Sequence, residues 1–410
     1  YNPQKVPPVV KHGTPEFPDY AATRYYSSDF TEKRMVSYFG RLGYNYKQRY
    51  LLEFTFRRDG SSTFGEGNRW ANFPSVAVGW SFSEEPFIKR LTGGWLNWGK
   101  IRGSYGKSGQ TFTSAYLAHG LMNIMDKSFF GKTGITTDKP VSPYLTWEKT
   151  RQYDLGLDMD MFNYRLNVKL DYYYKYTSSL IYDIPIPGSL YAFGAQVENA
   201  MEISNEGLEL ELQADILRES AVSWRMKFNM ARNWNRFEKS YSGKDVVDGD
   251  GTLLVVGRPL NGLYVWAHRG YYNSDAEVPR LYKIDGQEIY FNGVATNGIS
   301  GAVGDYRLLD LDGDGNPDSY YAGSPLPLAH GGWVNELMWK NFDLNVLVNF
   351  TIGRKMINNR MGLGFSRQSE DGHLTKLFDY RKLRPWDGVN KKPNAPAWGN
   401  SLSMNTDSAI

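Results

Sequence analysis

The stretch DLDGDGNPD, residues 310–318, is the part of this sequence best suited to ion chemistry. Asp310, Asp312, Asp314 and Asp318 fall at positions 1, 3, 5 and 9 of an EF-like loop, with Gly315 at position 6 and the Asn316 carbonyl at position 7. Calcium is a hard cation that takes oxygen ligands, and carboxylates this close repel one another without a cation between them. Position 12 is Tyr321 rather than a bidentate Glu, and no flanking helical pattern is evident. The loop reads either as a structural calcium site that stiffens a turn or as a solvated acidic turn. Nothing points to catalysis: His12, His119, His268, His330 and His373 show no metal-ligand spacing. The other conspicuous group is aromatic. Tyr264, Trp266, Tyr271 and Tyr272 could offer ring faces to sugars or peptides, or could pack loop against loop. No cofactor is required by any of these residues.

The chain around them is 410 residues, 41% hydrophobic and unusually aromatic, with 29 Tyr, 21 Phe and 12 Trp. Its formal charge of +3 is too small to argue for nucleic acid. Without cysteine it has no disulfide or thiolate chemistry. No apolar run of about 18 residues exists, which argues against a membrane-spanning helix but leaves a membrane barrel open. The chain opens at Tyr1 without a basic-then-apolar leader and reads as the interior of a longer protein.

Strict alternation supplies the elements. Tyr50, Leu52, Phe54 and Phe56 share one face against Glu53, Thr55 and Arg57. In the clearest case Tyr164, Leu166, Val168, Leu170, Tyr172 and Tyr174 alternate with Arg165, Asn167, Lys169, Asp171 and Lys175. About ten antiparallel strands can be recognised this way. Short turns fall near 47, 162, 217 and 340, with the connection 83–98 on the same side. Residues 1–34 read as a loop, 35–353 as strands with long loops at 58–72, 107–150, 177–204 and 232–331, and 354–410 as an irregular segment. An all-β sandwich would also alternate. Apolar faces of about 9 to 11 residues ending in aromatic rings, with long loops on one side, favour a transmembrane β-barrel. Arg165, Lys169, Asp171, Arg225 and Lys227 would then face the lumen and pair there, since each would cost about 2–4 kcal/mol near the membrane midplane.

The run SYFGRLGYNYKQRYLLEFTFRRDGSSTFGEGNRWANFPSVAVGWSFSEEPF, residues 37–87, closely resembles the barrel region of SusC/RagA-like TonB-dependent outer-membrane transporters. WGKIRGSYGKSG (98–109), YDLGLDMDMFNYRLNVKLDYYYKYTSSLI (153–181), ISNEGLELEL (203–212), the acidic loop and NFDLNVLVNFTIG (341–353) follow in the family's order. The resemblance implies a 22-stranded barrel in the bacterial outer membrane. It also implies an N-terminal plug and TonB-contact segment upstream of Tyr1, and final strands beyond Ile410. Energised by TonB and capped by a SusD-like lipoprotein, such a barrel would import glycan fragments or oligopeptides. The competing reading is a soluble or surface-attached all-β protein that binds glycan or peptide without transport.

Overall fold

A computed structural model describes residues 32–357, apart from 112–114, 117, 121, 130–131, 138–139, 192–193, 219, 248–252, 278–280, 283–287, 290–302, 305, 310 and 312–317, together with 388. Ten antiparallel strands form one continuous meander. They are β1 (Met35–Tyr46), β2 (Tyr50–Ser61), β3 (Trp70–Trp80), β4 (Leu96–Gln110), β5 (Glu148–Met161), β6 (Leu166–Pro185), β7 (Ala195–Leu217), β8 (Val222–Lys239), β9 (Ala329–Trp339) and β10 (Phe342–Ile352). Each pairs with its neighbours in sequence, so the topology needs no crossover.

The connections alternate in length as the sequence implies. At one end Lys47 and Gln48, Phe162 to Tyr164, and Lys340 turn the chain with positive φ. The β3–β4 connection at this end holds a seven-residue helix, α1 (Pro86–Thr92), which alternation did not reveal. Pro86 opens it and left-handed Gly93 ends it.

The expected loop at 177–204 is mostly strand: β6 runs on to Pro185 and β7 begins at Ala195. The register slips between Thr177 and Leu180, where Ser179 has φ 59°. That irregularity scrambles the alternation and interrupts the β6–β7 ladder locally, and pairing resumes at Leu180. The 58–72 loop shrinks likewise, because β2 reaches Ser61 and β3 starts at Trp70. Within 107–150 and 232–331, strand extensions and small hairpins take up much of the length. Arg165 belongs to the β5–β6 turn, where its N–H bonds the Phe162 carbonyl, and does not stand on a strand.

The apolar face is not covered by protein. Leu42 is 69% exposed, and Leu155 and Leu344 are each 58% exposed. A sandwich core would bury such residues. The band they form is slanted. One register row runs Tyr46, Tyr50, Trp80, Ile101, Leu157, Leu170, Leu210, Met230, Gly331 and Phe350. It begins at the short-turn end of β1 and finishes near the long-loop end of β10. The outward residues run from Tyr38 to Tyr46 on β1 and from Phe342 to Phe350 on β10. The row therefore climbs the full height of the band across the sheet. At about 3.3 Å per residue and about 4.8 Å per strand, that climb is a strand tilt of about 30° and a band about 22 Å tall. Both values lie a little below the tilt of about 35–45° and the apolar band of about 25 Å of membrane barrels.

Aromatic rings border the band at both ends. Tyr105, Tyr153 and Tyr174 lie side by side toward the long loops, with ring centroids 4.8 and 6.4 Å apart. Tyr46–Tyr50, Trp95–Phe162 and Trp339–Phe342 stack at the short turns. Inside the band Asn335 places a polar group on the apolar face, where its Oδ1 accepts the Trp224 indole N–H at 3.1 Å. This satisfies the amide oxygen where no water is at hand.

Candidate functional site

The opposite face is a charged wall on which many, though not all, of the charges are paired. Lys169 meets Glu211 at 3.4 Å, Arg225 meets Asp215 at 2.6 Å and Lys227 meets Glu336 at 2.8 Å, all between strands. Arg41 and Glu53 join β1 to β2 at 2.5 Å. Most of these pairs are half-exposed and each contributes about 0.2–1 kcal/mol. Their larger effect is to leave a polar, water-compatible surface of mixed sign. Of the five residues expected on the lumen side, Lys169, Asp171, Arg225 and Lys227 stand on this wall and are paired.

Arg102 ties three strands together. It reaches Asp158 on β5 at 3.0 Å and Asp171 on β6 at 2.5 Å. To do so its guanidinium crosses β5 directly over Gly156, its register partner. A Cβ on Gly156 would stand 2.5 Å from Arg102 Cζ and 2.7 Å from Asp171 Oδ1. The same device recurs at Gly207, over which Tyr173 passes to donate its hydroxyl to Asn233 Oδ1 at 2.7 Å. Gly156→Ala should push the guanidinium off its path and cost about 1 kcal/mol. The loss should be non-additive with Asp171→Asn, which destabilises the native background but adds little in Gly156→Ala. Urea unfolding of the full-length protein and the two single and one double variant checks this.

Beside Arg102, a hollow of about 470 Å³ includes Glu53, Lys100, Ser104 and Asp154 in its lining. Ser104 Oγ donates to Asp154 Oδ2 at 2.8 Å, and the Gln152 amide donates to Asp154 Oδ1 at 2.8 Å.

At the long-loop end, two apolar clusters dock connecting segments on the charged side of the sheet. Phe237 packs with Met201, Val246 and Leu254. Phe64 and Phe73 pack with Trp147, whose indole N–H donates to the Arg69 carbonyl at 3.1 Å. Neither cluster stood out in the sequence, because each gathers separate segments, Met201 with 237–254 in one and Phe64 and Phe73 with Trp147 in the other.

The aromatic candidates are largely engaged with the protein itself. Strand residues 263–266 pair with 319–323, and the Tyr264 ring lies 5.7 Å from Tyr321. Tyr264 has a buried hydroxyl, and burial pushes its pKa up. Tyr271 stacks on Tyr306 at 5.2 Å, and Tyr272 is buried. Trp266, opposite Ser319, is half-buried. Of the acidic loop, Asp318 is described: its carboxylate accepts the Leu311 N–H at 2.6 Å. Asp310, Asp312, Asp314 and Asn316 lie outside the described residues.

At the short-turn end Glu85 is a hub that sequence reasoning missed. It accepts the Tyr50 hydroxyl at 2.6 Å and the Trp80 indole N–H at 3.4 Å, and it faces Arg49 at 3.4 Å. The Tyr50 hydrogen bond, helped by Trp80 and Arg49, holds its carboxyl below the ordinary glutamate range against the opposing effect of burial. A depressed folded-state pKa stabilises fully above the unfolded value and loses that contribution as pH falls through the folded one. The stability difference between the full-length protein and its Glu85→Gln variant should thus be present at neutral pH and shrink below about pH 4. Thermal melts in detergent across pH measure it.

The comparisons agree with this geometry. The family model "TonB dependent receptor-like, beta-barrel" matches residues 9–323. TonB-dependent receptor P26 of Formosa agariphila is 32% identical over 92% of this chain and 37% of its own length. TonB-dependent receptor SusC of Bacteroides thetaiotaomicron is 30% identical over 88% of this chain and 35% of its own. The chain thus spans a little over a third of the length of these curated relatives. In fold it is similar to the RagAB peptide transporter, with TM-score 0.69 and 24% identity over 91% of this chain and 39% of the other.

Proposed function

We propose, from the premise that this chain belongs to the SusC/RagA-like TonB-dependent receptors, that it forms one section of the wall of an active importer. Its family and fold place it in the bacterial outer membrane. The observation that carries the transport reading is the two-faced sheet, with its slanted apolar band outside and its wall of paired charges within. A closed barrel of 22 strands would set the paired wall around a lumen, with the long loops at the exterior mouth. TonB would act through a segment outside this chain, and a SusD-like lipoprotein would cap the mouth. The cargo would be glycan fragments or oligopeptides, and no covalent chemistry is involved. Calcium at Asp310–Asp318 belongs to this reading as a structural ion. Tyr264, Trp266, Tyr271 and Tyr272 serve it chiefly by shaping the loops, since three of the four are engaged with neighbouring rings or buried.

Uptake by cells carrying the full-length gene tests the proposal. Fluorescent oligosaccharide and oligopeptide pools should enter only when TonB is present and the inner membrane is energised. Uptake indifferent to TonB, or a full-length protein that stays soluble without detergent, would overturn it.

A further inference from the structure

The outward face carries a second charge pattern, and this one is unpaired. Lys107 on β4 and Arg151 on β5 are direct register partners, both exposed. They share the face of Tyr105 and Tyr153 and stand one step beyond that aromatic border, toward the long loops. Exposed Lys149 follows one further step along the same face of β5. Like charges set opposite each other across an antiparallel pair repel. On the inner wall Arg41, Arg57, Arg102, Lys169, Arg225 and Lys227 each have a carboxylate within 3.4 Å. Among the described residues, Lys107, Lys149 and Arg151 have no ion-pair partner.

Two other strands place a cation at the same border, while β7 places Glu206 there, opposite Tyr174 and Trp234. Arg58 follows Phe56 on the outward face of β2 and lies 5.3 Å from the Trp70 ring. Arg232 follows Met230 on β8 and lies 4.5 Å from the Trp234 ring. A cation immediately beyond the apolar band, on the lipid side, stands at the level of the lipid headgroups. An anion held there would relieve the repulsion between Lys107 and Arg151.

We propose that Lys107, Lys149 and Arg151 bind the phosphate groups of a phosphorylated glycolipid in the outer leaflet, with Arg58 and Arg232 extending the belt along the border. The proposal rests on the reading that the long loops face the cell exterior. Each cation near a charged lipid surface contributes about 1 kcal/mol, or about fivefold in affinity.

The test uses the full-length protein in detergent, incubated with phosphorylated or dephosphorylated lipid A, with retained lipid counted by native mass spectrometry. The protein should retain the phosphorylated form about tenfold better or more, and K107Q/K149Q/R151Q should lose that preference while melting like the parent. Equal retention of the two lipids by the unsubstituted protein would overturn the proposal without reliance on any variant. An undiminished preference in the triple variant would overturn the residue assignment. Orientation is tested separately with Tyr144→Cys, at an 87% exposed loop position. It should react with an impermeant maleimide on intact cells. Reaction only after lysis would overturn the outer-leaflet assignment and the exterior reading of the loops, whatever the lipid result.

Discussion

Leu170→Arg should destabilise the barrel by about 2–4 kcal/mol, because it places a guanidinium at mid-depth in the apolar band. Leu170 stands four residues from Leu166 at one border and four from Tyr174 at the other, between Leu157 and Leu210 in register. No carboxylate is opposite it, and lipid offers the new charge no water. The matched control is Ala231→Arg. Ala231 belongs to the charged face, with Glu209 as its register partner, so an arginine there gains an acid and keeps its hydration. Refolding of the full-length protein into lipid vesicles, titrated with urea, should separate the two variants clearly. Equal damage from both would mean that the two faces do not differ in solvent.

A second large effect is expected at the long-loop end. Phe237 is fully buried, and its backbone also holds the returning chain: its N–H bonds the Arg258 carbonyl and its carbonyl accepts the Gly257 N–H. Truncating such a residue costs about 3–5 kcal/mol through lost contacts and the cavity left behind. Here the loss should fall on the docking of residues 240–262 rather than on the membrane band, since Val246 and Leu254 are the loop's buried contacts in that cluster. Limited trypsin treatment of full-length Phe237→Ala should cut after Lys244 at far lower protease doses than in the parent. The heat needed to unfold the barrel should change little.

The wall was legible in the sequence where one physical constraint acted on every residue. Lipid outside and water inside impose a period of two, and that period locates most of the ten strands and puts Lys169, Asp171, Arg225 and Lys227 on the charged side. Legibility failed where the constraint lapsed. Above the band both faces of β6 and β7 meet water or loops, so alternation weakens and the strand ends at 185 and 195 were read as loop. Gly156 sits in the alternation of YDLGLDMDM as one more inner position, between Asp154 and Asp158. That it is a gap for Arg102 depends on register with β4, some fifty residues away. Glu85 was hidden differently, since its partners Arg49, Tyr50 and Trp80 meet only once two turns are folded side by side. The aromatic residues 264–272 looked available in the sequence because their partners Tyr306 and Tyr321 lie beyond the next loop.

The claim that one face meets lipid and the other the lumen is tested most directly by single cysteines along β6, from residue 166 to 174, in the full-length protein, each carrying a fluorophore. In vesicles with a lipid-borne quencher, labels at Leu166, Val168, Leu170, Tyr172 and Tyr174 should be strongly quenched, and those at Asn167, Lys169, Asp171 and Tyr173 should be spared. Quenching that does not alternate with a period of two, or that alternates in the opposite phase, would contradict the assignment of the two faces.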